Sequence, residues 1–511
     1  MLFNSYAFIL IFLPLFVSLF YTARKAANRD VCKWIVIVSS LIFYAPFGVR
    51  NLAVLAASVV VNGVLALLLA NGRLGADIKS GADGKTSTVA ARSKVILACV
   101  VLANVISLLF FKFSGVFFPV AVSFYTFNQI SYIVDMYRGE IENFSLVDYL
   151  AYILFFPKIL QGPLMGYGEF SKKLEAAIDL VPEKCGTSEE AGEAPSVATD
   201  YELLLRALFL FSMGLFKKVI LADTFGKAVD FGFDAVAGLG SLEAILVAIF
   251  YSFQLYFDFS GYCDMASAVC MMIGFDLPLN FDSPYKAINI LDFWKRWHIS
   301  LTRFFTKYIY IPLGGNRKGM VRMYVNLMIV FLISGLWHGN GWNFIVWGAM
   351  HGVLYVITRL VGAKKGNKSI KDSGMLSGIK RVVAVLLNFA YVTLAWVFFR
   401  ASSISQAIEL ITRMFVGGSK RIATQLSACF QLDEIWYVIK VTPVMKLPFA
   451  WESCMWLFLI VAVVIIFFSP NAITIAKKCK VGLKTTAATA VLLIWSIISL
   501  AGVSTFLYMN F

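Results

Sequence analysis

The chain has 511 residues, of which 59% are hydrophobic and only 15% are charged. A soluble domain is about half apolar and about a quarter charged, so this composition excludes a soluble globular protein and predicts a polytopic membrane protein. The formal net charge is +15. In a membrane protein such an excess of positive charge is typically found in short cytoplasmic loops. We therefore expect membrane lipids, and no nucleic acid, among the partners of this protein.

Five apolar runs open the chain and predict five membrane-spanning helices. They lie near 5–22, 33–47, 52–70, 95–112 and 116–136. The run 6–20 lacks the basic flank and cleavage site of a signal peptide, so we expect it to be a retained span. Loops 23–33 and 71–94 are rich in Lys and Arg, whereas the turn 48–51 carries only Arg50. This bias predicts that both loops are cytoplasmic and that the N-terminus is outside.

The middle of the chain has apolar segments that are less regular. They are 145–164, 201–221 and 242–275, and they are interrupted by Pro157, Pro163, Lys217, Lys218 and Asp258. Because irregular backbone at membrane depth survives only when protein or water covers it, some of these segments are expected to be re-entrant or oblique. Segment 171–200 is polar and predicts a surface loop.

Positive charge is concentrated between Lys286 and Arg322, where eight cations accompany one acid, Asp292. In helical register one apolar face opposes the cations Lys295, Arg296 and Arg303. That face consists of Phe293, Trp294, Trp297, Leu301, Phe304 and Phe305. One hypothesis is an interfacial amphipathic helix that holds anionic lipid. The other is a basic mouth that binds a phosphate-bearing donor such as coenzyme A.

The run 323–358 is uncharged and would be about 54 Å long as one helix, whereas the hydrocarbon core is about 30 Å thick. It therefore predicts two spans, with the break at His338-Gly339-Asn340-Gly341. A titratable ring inside an apolar run indicates a functional site, so His338 is a candidate. The alternative is a neutral imidazole that bonds a carbonyl between helices, and for His351 on the next span packing is the preferred interpretation.

The last third of the chain alternates in charge. Loops 362–381 and 471–484 are strongly basic, whereas 401–452 is nearly balanced. This pattern predicts the two loops inside, 401–452 outside and the C-terminus outside. The eight cysteines are scattered without a CxxC pair, so no metal site is expected, although Cys429 and Cys454 could pair outside the cell.

Several motifs resemble those of the membrane-bound O-acyltransferases, and most closely the bacterial branch that O-acetylates alginate. They are MLFNSYAFILIFLPLF at the start, FFPKILQGPL at 155–164, YFDFSGYCDMA at 256–266, DFWKRWHISL at 292–301, YIPLGGNRKG at 310–319, SGLWHGNGWNFIVWGAMHG at 334–352, WVFFRA at 396–401 and FLYMNF at the end. The similarity spans nearly the whole chain. The pairing of WKRWHIS with LWHG is its most specific feature.

The resemblance implies an all-α ring of roughly 11–13 transmembrane helices with re-entrant elements around a thin centre. The expected divisions are a membrane core at 1–400 with its catalytic region at 286–360, an extracytoplasmic amphipathic segment at 401–452, and two C-terminal spans in 453–511. A cytoplasmic tunnel would meet an outward-facing funnel at the thin centre. The location implied is the bacterial cytoplasmic membrane.

The resemblance also implies roles for individual residues. His338 would be the general base, and His298 would orient the thioester or hydrogen-bond its carbonyl oxygen. Donor-binding candidates are Lys295, Arg296, Trp297, Arg303, Lys307, Arg317 and Lys318, and supporting candidates are Asp292, Trp337, Asn340 and His351. The two histidines can cooperate only if 292–316 dips into the bilayer. Asp258 and Asp264 are expected to pair with Lys or Arg as structural residues.

The implied reaction moves an acyl group, expected to be acetyl, from a cytoplasmic thioester such as acetyl-CoA toward an extracytoplasmic polysaccharide hydroxyl. It needs no bound cofactor and would use an extracytoplasmic glycan-acetylating partner protein. A related branch moves D-alanine from a carrier protein to teichoic acid, and transfer to a lipid or protein is a further alternative. A glycan-precursor transporter or flippase would instead show internal repeats, which are not evident. A scaffold in an export complex would not need its histidines.

Overall fold

The computed structural model describes residues 1–77, 86–179, 200–364, 375–500 and 505–507. Within these ranges every regular element is a helix. The first eleven α-helices are α1 Leu13–Lys25, α2 Arg29–Tyr44, α3 Val49–Asp77, α4 Thr86–Phe113, α5 Val122–Arg138, α6 Leu146–Leu154, α7 Phe156–Ile159, α8 Tyr167–Asp179, α9 Asp200–Phe216, α10 Asp223–Asp234 and α11 Ser241–Met272. The others are α12 Ile290–Arg296, α13 Ile299–Phe305, α14 Met320–His338, α15 Trp342–Lys364, α16 Met375–Arg400, α17 Ile404–Val416, α18 Thr424–Ala428, α19 Asp433–Val441, α20 Ser453–Val463, α21 Ala472–Lys478 and α22 Leu483–Ile498.

Shorter turns extend or join these helices. The π-helical turns are Ala7–Phe12, Lys217–Ala222, Thr306–Tyr310 and Val464–Phe468. The 3₁₀ turns are Ala45–Phe47, Val236–Gly238, Pro284–Lys286, Pro443–Lys446 and Ala450–Glu452.

Nine helices in the described part of the chain are long and apolar enough to cross a bilayer. They are Ala7–Lys25, Arg29–Phe47, Val49–Ala70, Ser93–Phe113, Ser241–Met272, Met320–His338, Trp342–Gly362, Gly378–Arg400 and Ala450–Phe468. This confirms an all-α polytopic membrane protein. The predicted span 116–136 is not among them, since α5 begins at Val122 and has only 17 residues. Helix α22 is apolar but also shorter than a full span, and the count is below the expected 11–13.

The chain divides into two compact units. Unit 1 comprises the described residues of Met1–Met213, Tyr262–Pro278 and the stretch from Ala476 to residue 507, and unit 2 comprises those of Gly214–Gly261 and Leu279–Ile475. The predicted loops 71–94, 171–200 and 362–381, Cys185 and the final FLYMNF motif lie partly or wholly outside the described residues.

Unit 1 has an aromatic core in which Phe156 packs against Phe12, Phe16 and Phe43 with ring centroids 5.0–5.2 Å apart. The predicted interruption at Pro157 is confirmed, because α6 ends at Leu154 and α7 begins at Phe156 with Pro157 in its first turn.

One prediction for unit 1 is wrong in part. The polar segment that begins at residue 171 is not a loop throughout, since α8 continues to Asp179. Its buried positions, which are Phe170, Leu174, Ala177 and Ile178, follow the helical spacing that binds one face of an amphipathic helix to a core.

In unit 2 a buried ion pair joins two elements. The ammonium of Lys218 lies 2.8 Å from a carboxylate oxygen of Asp258, and both side chains are 2% exposed. A second carboxylate, that of Asp223, also lies 2.8 Å from Lys218. The prediction that Asp258 pairs with a Lys or Arg is therefore confirmed. Nearby, a Cβ on Gly261 would lie 2.8 Å from the Gly214 carbonyl oxygen, so the backbones approach closely there.

Candidate active site

His298 lies at a break between two short helices of unit 2. Helix α12 ends at Arg296 and α13 begins at Ile299. The backbone of His298 is left-handed, with φ 45° and ψ 52°, and the residue is 1% exposed. Such a conformation is costly for a residue with a Cβ and is found where the surrounding structure holds it, often at functional sites.

The apolar pattern over 293–305 predicts one continuous amphipathic helix, and this break corrects that prediction. The apolar residues of that pattern are buried as expected. The helix nevertheless stops at Trp297, whose extended backbone turns the following imidazole inward. Two short helices therefore bury the same face that one long helix would have buried, and they also bury His298.

Asn280 fixes the protonation pattern of His298. Its Oδ1 accepts hydrogen bonds from the backbone N–H of Ser300 at 3.1 Å and from the Ser300 hydroxyl at 2.9 Å. The Ser300 N–H can only donate, so this oxygen must face the site. Nδ1 of His298 lies 3.2 Å from the same oxygen and therefore carries the hydrogen. The tautomer leaves Nε2 as a hydrogen-bond acceptor.

The surroundings of His298 keep its ring neutral. Phe259 meets the imidazole edge to face, with centroids 4.7 Å apart, and Phe281 packs at 6.4 Å. Burial lowers the pKa of His298 to about 3 because the charged form loses its hydration. A neutral Nδ1–H tautomer accepts protons or hydrogen bonds at Nε2, so donation from Nε2 to an oxyanion is disfavoured.

His338 is the last residue of α14, and α15 begins four residues later at Trp342. The predicted break at 338–341 and the division into two spans are confirmed. Close approach of the two helices depends on glycine, since a Cβ on Gly335 or Gly348 would collide with a carbonyl of the facing helix. Small residues permit this kind of packing between membrane helices.

Three aromatic rings enclose His338, which is 3% exposed. The centroids of Trp337, Trp347 and Phe399 lie 4.4, 5.1 and 4.9 Å from its imidazole centroid. Trp347 also packs at 5.0 Å against His351, so one indole contacts two of the three histidines.

His351 is completely buried and is held by rings. Trp294 lies 5.1 Å away and Trp396 lies 5.9 Å away, centroid to centroid. Among the described residues neither ring nitrogen of His351 has a hydrogen-bond partner. This environment is typical of a packed core side chain rather than of an acid–base group.

A continuous aromatic cluster joins the neighbourhoods of His298 and His338. Phe281 contacts both His298 and Trp297; Trp297 packs on Trp396 at 5.1 Å, and Trp396 packs on Trp347 at 5.6 Å. Both imidazoles are thus built into one packed region of unit 2. That they face each other across a shared pore stays a prediction.

A cavity of about 410 Å³ adjoins this region. Its lining residues are Leu291, Trp294, Lys295, Ile299, Leu301, Thr302, Arg303, Phe305, Thr306, Tyr310, Asn316, Leu327, Val330, Phe331, Ser334, Tyr355 and Arg359. Ile299 directly follows His298, and Ser334 precedes His338 by about one helical turn. Three of the lining side chains, those of Lys295, Arg303 and Arg359, are cationic and none is acidic.

Only two of the seven predicted donor-binding residues line this cavity, and they are Lys295 and Arg303. The guanidinium of Arg296 lies instead 2.8 Å from Asp292 and 3.6 Å from Asp282. Its charge is therefore largely neutralised. Asp292, expected beside His298, pairs with Arg296, and the position beside the imidazole is taken by Asn280.

The remaining candidates are placed as follows. Trp297 is 1% exposed inside the aromatic cluster, and the Lys307 ammonium lies 5.2 Å from the Tyr308 ring centroid. Arg317 and Lys318 are exposed on the turn before α14, and Asn340 is exposed in the turn after it.

Sequence reasoning missed Arg359 and Asn280. Arg359 follows directly after the uncharged run 323–358, which was the available signal. Asn280 lies in an irregular segment before α12, and no pattern in the sequence marked it as a site residue.

No group of three or more His, Cys, Asp or Glu that could hold a metal occurs in the described part of the chain. Cys429 and Cys454 are both thiols, so the pairing considered from sequence is absent between them.

Buried histidines near a basic cavity in a polytopic helical protein are what the resemblance in the sequence implies. Residues 136–373 match the MBOAT, membrane-bound O-acyltransferase family. The peptidoglycan O-acetyltransferase of Helicobacter pylori is 35% identical over 458 residues, which cover 81% of this chain and 80% of that protein. The chain therefore belongs to the membrane-bound O-acyltransferase family.

Two further relatives differ in their stated substrates. The protein of Pseudomonas fluorescens named "Probable alginate O-acetylase AlgI" is 33% identical over 426 residues, covering 82% of this chain and 76% of the relative. A teichoic acid D-alanyltransferase of Streptococcus thermophilus is 27% identical over 301 residues, covering 54% of this chain and 67% of the relative.

Proposed function

We propose that the protein transfers an acetyl group from a cytoplasmic thioester, such as acetyl-CoA, to a hydroxyl of a cell-envelope glycan on the other side of the membrane. The observation that carries this proposal is the cavity with three cations whose wall runs from the residue beside His298 to a residue one turn from His338. The proposed location is the bacterial cytoplasmic membrane, with the N- and C-termini outside.

The cavity suits a phosphate-bearing donor with a short acyl group. Lys295, Arg303 and Arg359 supply charge for phosphates, and Arg binds them through two parallel hydrogen bonds. The volume of about 410 Å³ is at the small end of ligand sites, which occupy about 300–1,000 Å³. Such a space favours the narrow arm of a thioester donor with an acetyl group over a long acyl chain.

The histidines supply the proton chemistry of the proposed transfer. The acceptor hydroxyl gives its proton to a nitrogen of His338 while its oxygen attacks the thioester carbonyl. The tetrahedral intermediate then collapses, the C–S bond breaks, and the leaving thiolate takes the proton back. The products are an acetyl ester and a thiol. Nε2 of His298, an acceptor in this tautomer, would receive a hydrogen bond from an N–H or O–H of the donor and so orient the thioester.

The acceptor is proposed from the relatives and the predicted topology. One relative is named for O-acetylation of peptidoglycan and another for O-acetylation of alginate, and both of these substrates are glycans. A partner protein on the outer side is proposed to complete delivery to the glycan.

The test is base-labile acetate on the purified cell-envelope glycan of cells that produce each variant. We expect His338→Ala and His298→Ala to insert normally and to abolish that acetate. Asn388→Ala is the matched control, because it removes a buried hydrogen bond to Ala287 in the same unit without involving either histidine. Retained acetylation in both histidine variants would refute the mechanism.

A second candidate is D-alanyl transfer, favoured by the similarity to the teichoic acid D-alanyltransferase. Membranes that contain the protein, offered labelled acetyl-CoA or a D-alanyl carrier protein, separate the two. Transfer from the carrier alone would favour the second candidate.

A further inference from the structure

A separate cavity of about 310 Å³ lies in unit 1 between α3, α4 and α5. Its lining residues are Val54, Ala57, Ser58, Val61, Asn62, Ala103, Asn104, Ser107, Phe111, Val122, Tyr125 and Thr126. Half of them carry a hydroxyl or carboxamide, and none of them is charged. We call this cavity the α3–α5 groove.

The floor of the α3–α5 groove is a hydrogen-bonded carboxamide network. Asn104 Nδ2 donates to Asn62 Oδ1 at 2.7 Å, and Asn62 Nδ2 donates to Gln129 Oε1 at 2.8 Å. The Ser58 hydroxyl donates to the same Gln129 oxygen at 2.8 Å. The network holds three helices together and fixes the carboxamides in place.

Hydrogen-bonding capacity is left over beside this network. The Tyr125 hydroxyl is buried, belongs to a residue that lines the groove, and has no hydrogen-bond partner among the described residues. Buried polar atoms are normally satisfied, so this hydroxyl indicates that something polar binds here.

The polar atoms lie at the depth of lipid hydrocarbon. Ser58 and Asn62 are about 13 and 20 Å along α3 from its end at Val49, and Asn104 is about 14 Å along α4 from its end at Phe113. A hydrocarbon core is about 30 Å thick, so the network is near its middle. Lipid headgroups and esters do not reach that depth, whereas a polar side chain on a membrane-spanning helix does.

The groove walls also suit a helix. Ala57 and Ser58 on α3, and Ala103 and Ser107 on α4, present small side chains, the last two at i and i+4 spacing. Small residues let helix backbones approach closely in a membrane, where hydroxyl and carboxamide groups bond across the interface. Only 28% of the residues in the membrane-spanning stretch of α3 are buried within the structure, and for α4 the share is 17%.

We propose that the α3–α5 groove is the docking site for a transmembrane helix of another polypeptide that carries a hydroxyl or carboxamide side chain at mid-membrane depth. The inserted group bonds the Tyr125 hydroxyl and the carboxamide floor. The lack of charge among the lining residues makes the site unsuited to a phosphate or an ammonium group. This inference does not rest on the proposed acetyl transfer.

The test uses a synthetic Leu/Ala transmembrane peptide with one central Asn, compared with the same peptide carrying Leu there. Energy transfer between labelled peptide and labelled protein in phosphatidylcholine vesicles measures binding. We expect the Asn peptide to bind the natural protein about threefold or more tightly than the Leu peptide. Filling the groove with the double substitution Ala103→Leu and Ser107→Leu should abolish binding, whereas Ala56→Leu, which adds one leucine side chain at an exposed position outside the lining, should not.

A gentler variant separates binding from folding. Tyr125→Phe keeps the ring and removes only the hydroxyl, so it should reduce the preference for Asn and leave the Leu peptide unaffected. Equal binding of both peptides, or binding unchanged by the filled groove, overturns the proposal. Energy transfer between two labelled copies of this chain that disappears in the filled variant would also overturn it, because the occupant would then be a second copy.

Discussion

Replacing Asn280 with Ala would test whether its amide sets the state of His298. The change removes one oxygen that accepts three hydrogen bonds, from His298 Nδ1, the Ser300 N–H and the Ser300 hydroxyl. Each such bond contributes about 0.5–1.5 kcal/mol net, so the free energy of unfolding should fall by about 3 kcal/mol. The imidazole would also lose the partner that selects its tautomer.

The effect on catalysis follows from the bond to the ring. Losing about 1–3 kcal/mol of orientation at His298 corresponds to a fall in kcat of roughly five- to 150-fold. The assay is label transfer from radioactive acetyl-CoA in vesicles, with the amount of folded protein measured in parallel.

Asn289→Ala is the matched control for this prediction. Asn289 caps α12 by accepting a hydrogen bond from the Asp292 N–H at 2.9 Å, and its loss should cost about 1 kcal/mol of stability. It has no role at the imidazole, so kcat per folded molecule should be unchanged. A normal kcat in folded Asn280→Ala protein would refute the assigned role of Asn280.

Three further results are expected. Lys218→Met alone should lower the free energy of unfolding by about 3–5 kcal/mol because it strands a buried carboxylate, and adding Asp258→Leu should restore much of it; denaturant titration checks both. Arg359→Gln should raise KM for acetyl-CoA several-fold with little change in kcat. Arg296→Gln should raise KM less, because carboxylates already neutralise the Arg296 guanidinium. Initial rates at varied acetyl-CoA concentration measure both effects. Burial lowers the pKa of His298 to about 3, whereas the unfolded ring has a pKa of about 6.5. The contribution of His298 to stability is therefore full above about pH 6.5 and declines as the pH falls toward 3. Thermal unfolding of His298→Gln should show a weaker loss of stability than the natural protein between these two pH values.

Four of the five N-terminal spans and the break at His338 could be predicted because length and composition decide them. An uncharged run too long for one crossing must turn, and Gly339 and Gly341 mark the turning point. Pairing of Asp258 with a basic residue was predictable from the cost of an isolated buried charge. Which residue would pair was not, since Lys218 is 40 positions away in sequence.

The geometry at His298 could not be predicted from the residues. The apolar pattern continues across Trp297 and so indicates an unbroken helix. A left-handed backbone is usually marked by Gly or Asn, and here it occurs at a histidine. Asn280 was missed for a related reason, because tertiary packing brings it to the site from a segment that carries no local motif.

The most direct test of the account is transfer across the membrane in inverted vesicles of the native cells. Labelled acetyl-CoA is added to the outside, which corresponds to the cytoplasm, and ester-linked label is measured on glycan in the vesicle interior. The account predicts label inside with the natural protein and none with His338→Ala or His298→Ala at equal protein levels. Label that reaches the interior without these imidazoles would contradict it.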